Sequence, residues 1–487
     1  MVILSLLGSS VLAAGVLTTS GTAVAPVPCD AVGLSSAIAS ANAHPGSSID
    51  LAENCTYQLT AALPAITAPT TVNGHHATLA RTQTAAPFRI LRTDAAGVSI
   101  SDLSVTGGRT APGEDGGGIL NTGSLALLRV TIRGNSTGDG LPAADGGSGG
   151  GVFSSGGTLS ITDSTVTGNA TGNGGPWARV GTGGFPGSGG SGGGIAVRQG
   201  ALTVEHSSVG GNRTGSGGDS STAPGAEGDN WAHGGHGGGI WSTQHTTVAD
   251  SSVCDNKAGG GGIGGPLGSS PSGSAGHGGP GGSGGGAYVA GETTFARSTV
   301  CRNTSGDAGA GGSGTTRGYD GNAGDGGGIW TGAGATALDG TTIADNRTGS
   351  PGTGRPGTPG SGGGVYDHIG ELTVTGGQFA RNRAGQDGGG VALHSTRKRP
   401  LAQFRITGAR IADNVAGGNG GGIAVSSVHA AATHVLADSV VTGNTAARGG
   451  GMHVGSGNTV KLDHATVTGN HPDDCDPVGC QGAARVG

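Results

Sequence analysis

The chain has few of the side chains from which most proteins build a core and a charged surface. Aromatic residues make up 3% of its 487 residues and charged residues 11%, with a formal net charge of -6. So little charge excludes the basic surface that nucleic acids or anionic membranes attract. After residue 25, no segment is apolar over the roughly 20 residues of a membrane-spanning helix. The sequence therefore predicts neither a nucleic-acid partner nor membrane insertion.

The first 25 residues are predicted to be a signal peptide. Their apolar stretch starts at Leu4 and ends at Ala23-Val24-Ala25, an A-x-A cleavage step. The positively charged residues that usually precede such a stretch are absent. We expect a secreted, extracellular protein.

Six cysteines fit an oxidising compartment. Cys254 and Cys301 are 47 residues apart, and each lies two positions before an asparagine of the repeat described next. If consecutive repeats stack, the two become neighbours about 4.8 Å apart, within the Cα separation of roughly 4.4 to 6.8 Å that a disulfide needs. The predicted pairs are Cys29 with Cys55, Cys254 with Cys301, and Cys475 with Cys480.

Glycine is abundant, at 112 residues, and it marks a repeat. Ten times a Gly-Gly-Gly-aliphatic step is followed by an aliphatic-x-x-Asn step, and seven of the ten intervals from first Gly to Asn are nineteen or twenty residues. No strict Gly-x-y period is present, which excludes collagen. The asparagines are Asn135, Asn169, Asn212, Asn256, Asn303, Asn346, Asn382, Asn414, Asn444 and Asn470. Such a repeat indicates a solenoid.

Apolar residues recur at two fixed positions of every repeat, eight and three residues before the asparagine, as at Leu127 and Ile132. Runs such as Leu202-Thr203-Val204 alternate with the period of two that half-buried strands show. Short strands, a small residue at a bend, and an asparagine that pairs with its copy in the next coil make one solenoid turn. We predict an all-β chain: a right-handed parallel β-helix of about ten regular coils after an irregular, helix-capped N-terminal part.

All variation in length lies at one corner of the coil. Between each asparagine and the next triple glycine, 4 to 27 residues intervene, and loops of such length are either functional or mobile. The predicted organisation is a signal peptide (1–25), an N-terminal cap with irregular coils (26–115), the repeat β-helix (116–474) with long glycine-rich loops up to about residue 361, and a tail with a small disulfide loop (475–487).

An aromatic column is predicted on the outside of the coil. The aliphatic residue after each triple glycine must point inward, so the next residue must point outward. An exposed row of rings at steps of about 4.8 Å suits the stacking of sugar rings; alternatively, the rings anchor the glycine loops. The candidate carbohydrate-binding residues, in this column and in the loops that lead into it, are Phe153, Trp177, Trp231, Trp241, Tyr288, Trp330 and Tyr366.

A pair of histidines is a candidate catalytic site. His368 and His394 occupy the same position in adjacent repeats, Asp367 precedes the first, and Arg397 belongs to a basic insertion after the second. A histidine, a carboxylate and an arginine can act as acid, base and charge neutraliser in cleaving a uronate polymer; equally, they can be a solvated surface cluster. Neither a zinc spacing nor a nucleophile elbow is present, so no metal and no cofactor is predicted.

The repeat signatures resemble two groups of known proteins. Gly-Gly-Gly-Ile or Val, with Phe379-Ala380-Arg381-Asn382, is similar to the Gly-Gly-Ala-Ile and Phe-x-x-Asn repeats of polymorphic outer-membrane proteins. The leader, with Leu34-Ser35-Ser36-Ala37-Ile38 and Cys55-Thr56-Tyr57-Gln58-Leu59-Thr60, resembles secreted bacterial β-helix proteins of the pectin-lyase-like superfamily. The first resemblance implies surface adhesion, and the second implies polysaccharide lyases and glycoside hydrolases. The Asp-rich calcium site of pectate lyases is not found.

Three functions follow as hypotheses. The preferred one is a secreted, adhesin-like protein of the cell surface whose partner is an extracellular or cell-wall polysaccharide. The second is a polysaccharide lyase or glycoside hydrolase acting on an anionic glycan, and the third is a passive structural or self-associating surface protein.

Overall fold

The chain winds into a right-handed parallel β-helix. The computed structural model describes residues 25–180, 183–220, 232–266, 275–313, 317–395, 403–427 and 433–477. The predicted signal peptide, Trp231, Arg397 and Cys480 lie outside these ranges, except that residue 25 is described. Consecutive coils pair in parallel register, as in Val204 with Val248 and Val248 with Phe295.

The regular coils have three faces, each a ladder of parallel strands. The strands of the first face are Leu125–Leu128, Thr158–Thr162, Ala201–Glu205, Thr246–Ala249, Thr293–Ala296, Ala335–Asp339, Glu371–Thr375, Gln403–Thr407, Thr433–Ala437 and Thr459–Asp463. Those of the second face are Thr131–Arg133, Thr165–Thr167, Ser208–Gly210, Ser252–Cys254, Thr299–Cys301, Thr342–Ala344, Gln378–Ala380, Arg410–Ala412, Val440–Thr442 and Thr466–Thr468.

The third face follows the triple glycines. Its strands are Leu91–Thr93, Ile119–Asn121, Val152–Ser154, Ile195–Val197, Ile240–Ser242, Ala287–Val289, Ile329–Thr331, Val365–His368, Val391–Ser395, Ile423–Ser427, Met452–Val454 and Cys475–Asp476. The irregular N-terminal coils use Ser47–Asp50, Thr56–Leu59, Thr70–Arg81 and Val98–Thr106. Three small pairs complete the set: Arg109–Pro112 with Ser136–Gly138, Arg383–Ala384 with Val415–Ala416, and the antiparallel Ala178–Val180 with Gly183–Phe185.

The predicted inward columns form one continuous core. On the first and second faces the predicted apolar residues are buried through most of the rod, as are Val204 and Val209, both fully. The aliphatic residue after each triple glycine is likewise fully buried, from Ile119 to Met452. The predicted alternation of inward and outward residues is therefore confirmed, and its inward residues form the core.

A helix closes the N-terminal end, as predicted. It spans Ala31–Ala43, and the Asp30 side chain caps it by accepting the Gly33 N–H at 2.7 Å. Leu34 and Ile38 are buried against the first coil. The Cys29–Cys55 disulfide holds the start of the helix to the coil below.

Two further features of the repeat are confirmed. Cys254 and Cys301 form a disulfide with a Cα separation of 4.6 Å. The asparagines form an unbroken ladder, in which Asn256 donates its backbone N–H and its Nδ2 to the Oδ1 of Asn303 at 2.9 and 3.0 Å. At the C-terminal end of the ladder, the Asp474 carboxylate accepts hydrogen bonds from the backbone N–H and the Nδ2 of Asn470. Cys475 is disulfide-bonded, and its predicted partner Cys480 is among the residues not described.

The glycine-rich loops are ordered into two layers, a feature that the sequence reading missed. We call the part of each loop after the asparagine the outgoing arm and the part before the next triple glycine the returning arm. Every third residue faces the other layer: Gly309 donates its N–H to Gly279 at 2.9 Å, and Gly321 donates to Gly309 at 2.8 Å. This period of three is that of a polyproline II helix. At these positions an added Cβ would overlap a carbonyl oxygen of the same layer in the preceding coil, as Gly321 would with Gly279, so only glycine permits the approach.

Candidate functional site

The outward column of the third face lies where the returning arms enter the coil. Trp241, Tyr288 and Trp330 are half-buried there, whereas Phe153 and Tyr366 are only 2% and 8% exposed. The prediction that the last two rings are exposed is wrong. The first glycine of each triple, with φ of 67° at Gly149, folds the returning arm back over the residue, and the Arg198 guanidinium lies 5.0 Å from the Phe153 ring centroid.

The two loop tryptophans are placed differently. Trp177 lies on an outgoing arm, where its backbone N–H donates to the carbonyl of Asp219 at 2.9 Å. Its ring is half-buried and has no ring contact with any described member of the column. Trp231 lies outside the described residues.

Tyr288 and Trp330 begin a longer row of stacked rings, which we call the ring row. Their centroids are 4.1 Å apart, and the His236 ring contacts Tyr288 at a centroid distance of 4.9 Å with a tilt of 35°. On the other side Trp330 meets His368 at 5.7 Å. The ring row consists of His233, His236, Tyr288, Trp330, Tyr366, His368 and His394. Because neighbours cover each other's faces, the middle rings present their edges to solvent, and this part of the row favours the anchoring role.

Sequence reasoning missed His233 and His236. They stand four residues and one residue before the triple glycine at Gly237, and the same two offsets recur as outward positions on the other returning arms. The three-residue period of the arms is the sequence signal from which the outward positions of His233 and His236 could have been predicted. His236 uses Nδ1 to accept the Ser283 N–H at 2.9 Å, and burial lowers its pKa to about 4, so this ring is neutral.

Trp241 is outside the stack and forms one wall of an open cavity of about 480 Å³. The Asp115 carboxylate lies 3.9 Å from the Arg198 guanidinium, and burial raises the pKa of Asp115 against the opposing effect of the Ser148 N–H. The polar side chains of this cavity are Asp115, Asp145, Ser148, Ser188, Ser191, Arg198, His233 and His236. An aromatic wall beside hydroxyl, carboxylate and guanidinium groups can hold a polyhydroxylated ring.

The structure separates Asp367 from the two histidines proposed to act with it. Strand alternation points Asp367 into the core, where it is 0% exposed and accepts from the Thr331 hydroxyl at 2.8 Å and the Gly370 N–H at 3.1 Å. Burial raises its pKa to about 6. The placement of Asp367 beside the histidines is therefore wrong, and Arg397 lies outside the described residues.

The two histidines do lie side by side. His368 and His394 stack at 5.9 Å with 8° between their planes, both are half-buried, and burial lowers both pKa values. The Nδ1 of His394 lies 3.3 Å from the Ser426 hydroxyl. Two neutral imidazoles are thus available at the far end of the ring row.

A second cavity, of about 380 Å³, adjoins His394. Asp325 lines it and accepts the Ser361 N–H at 2.7 Å, yet burial raises the pKa of this carboxyl to about 6. Burial also raises the pKa of Tyr366, helped by the nearby charge of Asp325. The polar residues around this cavity are Asn322, Asp325, Thr358, Ser361, Tyr366, Gln386, Asp387, His394 and Ser426.

Comparison with known proteins adds nothing to the chemistry of these cavities. A crystal structure of the periplasmic alginate epimerase AlgG is similar, with 10% sequence identity, a TM-score of 0.38, and coverage of 87% of this chain and 78% of that chain. No family model matches the chain, and no curated protein matches it in sequence. At such low identity a likeness concerns the β-helix alone.

The described residues offer neither a cluster of metal ligands nor a membrane-spanning helix. Within the described ranges, no three His, Cys, Asp or Glu side chains are grouped as metal ligands. The one helix of that part of the chain, Ala31–Ala43, is too short to span a bilayer.

Proposed function

We propose that the protein binds a polysaccharide along the flank formed by the returning arms and the ring row. The observation that carries the proposal is the open cavity against Trp241, in which an unstacked indole faces a set of hydroxyl, carboxylate and guanidinium groups. Aromatic walls with a few placed polar groups are typical of sugar sites. Equivalent residues recur about every 4.8 Å along the rod, so the flank offers repeated contacts to a repeating ligand.

The two described disulfides support a secreted location. Cys29–Cys55 and Cys254–Cys301 persist in oxidising compartments and are rare in the cytosol. A polysaccharide of the extracellular space or of a cell wall is the partner that such a location makes available.

The test is a glycan panel with two matched tryptophan variants. We expect the wild type to be retained on at least one plant, fungal or bacterial polysaccharide, and Trp241→Ala to weaken that retention at least tenfold. Trp177→Ala, a change of the same kind on an outgoing arm, should leave retention unchanged. Absence of retention across the whole panel, or equal losses in both variants, contradicts the proposal.

A second candidate function, glycan cleavage, is favoured by one specific observation. The cavity beside Tyr366 and His394 contains Asp325, whose pKa of about 6 suits a general acid near neutral pH. If the protein is a lyase or hydrolase, it releases unsaturated or reducing ends, and Asp325→Asn abolishes the release. Asp339→Asn, at an exposed position of the first face, is the control. Without release of ends by the wild type, the passive or purely binding roles remain.

A further inference from the structure

A third cavity lies away from the ring row, at the tips of the returning arms. It measures about 400 Å³ and is lined by His277, Tyr319 and Pro356, among others. Successive returning arms place His277, Tyr319 and Arg355 at one outward position, seven residues before their triple glycines. Backbone bonds fix this register: Gly278 donates to Tyr319 at 2.9 Å, and Asp320 donates to Arg355 at 2.7 Å.

The tip residues stack on one another. His277 and Tyr319 have ring centroids 5.2 Å apart, and the Arg355 guanidinium carbon lies 3.8 Å from the Tyr319 centroid. Tyr319 nevertheless stays 43% exposed. The guanidinium therefore has a fixed position at an aromatic surface, which is a common arrangement for recognising ligands.

The charge of Arg355 is not neutralised by the described part of the protein. Its Nη2 donates to the Tyr319 hydroxyl at 2.6 Å and its Nη1 to the Arg317 carbonyl at 3.3 Å, which leaves further N–H donors of the guanidinium. The neighbouring acid, Asp320, is 3% exposed, accepts from Gly311 and Gly354 at 2.8 Å, and pairs with Arg317 at 3.5 Å. Arg355 forms no ion pair with any described carboxylate.

The tip cavity adjoins the cavity beside the ring row. Asn322 and Thr358 line both cavities, and the Thr358 N–H donates to the Asn322 side chain at 2.9 Å. Tyr319 and Asp325 are six positions apart in the sequence. In an extended arm this spacing corresponds to a distance of about 19 Å, at roughly 3.1 Å per residue. A polymer of several sugar units can therefore run along the returning arms from one cavity to the other.

We propose that the tip cavity binds a sugar unit carrying an anionic group, with the ring against Tyr319 and His277 and the carboxylate or sulfate against Arg355. This inference rests on the proposed polysaccharide binding and assigns a ligand class and a direction to it: the sugar chain runs along the returning arm, from Arg355 towards Tyr366. The anionic group supplies the acceptor oxygens that the guanidinium lacks.

The experiment compares two ligands that differ in charge and little in shape. Binding of hexagalacturonate and of its methyl ester is measured by calorimetry, with a sulfated galactan oligomer as a second anionic probe. We expect the acid to bind at least fivefold more tightly than the ester, and Arg355→Gln to abolish this preference while Arg355→Lys keeps part of it. Arg347→Gln, which removes an exposed arginine from the base of an outgoing arm, should change nothing.

The outcomes separate the two proposals. If acid and ester bind alike and Trp241→Ala weakens both, the polysaccharide site stands and the anionic subsite is wrong. If Arg355→Gln and Arg347→Gln weaken the acid equally, the effect is one of net charge and the subsite is also wrong. Tighter binding of the sulfated probe than of the acid would assign sulfate as the group recognised. Failure of every oligomer to bind overturns the anionic subsite, whereas the proposed polysaccharide binding is decided by retention on the glycan panel.

Discussion

The rings of Tyr288 and Trp330 are parallel, with centroids 4.1 Å apart and planes 3° apart. They belong to adjacent coils paired in register, so the stack follows the rod axis. Each ring covers a face of the other, so the pair stabilises the packing of two adjacent coils. Trp241, one coil earlier, remains available to a ligand.

We expect stability and binding to separate between these two tryptophans. Trp330→Ala removes a stacked pair worth about 1 kcal/mol beyond its buried area, so its free energy of unfolding should fall about 1–2 kcal/mol further than that of Trp241→Ala. Urea denaturation measures the difference. Equal losses would show that the stack contributes nothing of its own.

The asparagine ladder should be the most sensitive part of the rod. Asn303→Ala removes the Nδ2 bonds to Val253 and Asn346, at 2.8 and 2.9 Å, and leaves the Asn256 N–H without its acceptor. Each unsatisfied buried group costs about 1–3 kcal/mol, so we expect a loss of about 3–5 kcal/mol in chemical denaturation. Gln403→Ala, on an exposed strand position, is the control and should change stability by less than about 0.5 kcal/mol.

The two-layer arrangement of the arms gives opposite expectations for adjacent glycines. A Cβ at Gly259 would overlap the Gly215 carbonyl, whereas at Gly260 it would lie 3.4 Å from its nearest neighbour, the Asp307 carbonyl. Gly259→Ala should force neighbouring outgoing arms apart and cost about 2–4 kcal/mol, with faster proteolysis of the arms. Gly260→Ala should be neutral or slightly stabilising. Equal protease resistance of the two variants would argue against the close packing of neighbouring arms.

The buried carboxyl of Asp367 should make stability depend on pH. Its pKa in the fold is about 6, above the ordinary value of 3.8, so its contribution to stability is present below about pH 4 and is lost as the pH rises through 6. Asp367→Asn removes this loss. Relative to the wild type, the variant should therefore gain up to about 3 kcal/mol in free energy of unfolding between pH 4 and pH 8. A difference that stays constant with pH contradicts the assignment.

The sequence predicted most of the fold because the repeat constrains each position many times. The asparagine column, the inward aliphatics and the Cys254–Cys301 bridge follow from the offsets alone, since stacking copies of one coil brings equivalent residues together. The prediction from the sequence was wrong at Asp367. The alternation of the strand places this residue inward, between the outward Tyr366 and His368.

The candidate site was predicted only in part, because burial of an outward residue depends on what covers it. Trp241 and Phe153 occupy equivalent positions of the repeat, yet Phe153 is buried under Arg198 and the returning arm while Trp241 walls a cavity. The partner of each ring comes from another coil, and no offset within one repeat reveals it.

By itself, the sequence determined the β-helix, its coil length, its disulfide between coils and the corner where the loops leave, since periodic burial and backbone pairing depend on local spacing. Only the tertiary structure decided the rest: that the glycine loops pack as two layers, that these layers bury some rings and leave others open, and that Arg355 reaches Tyr319. Those contacts join residues of different loops, and their geometry exists only after the arms have packed.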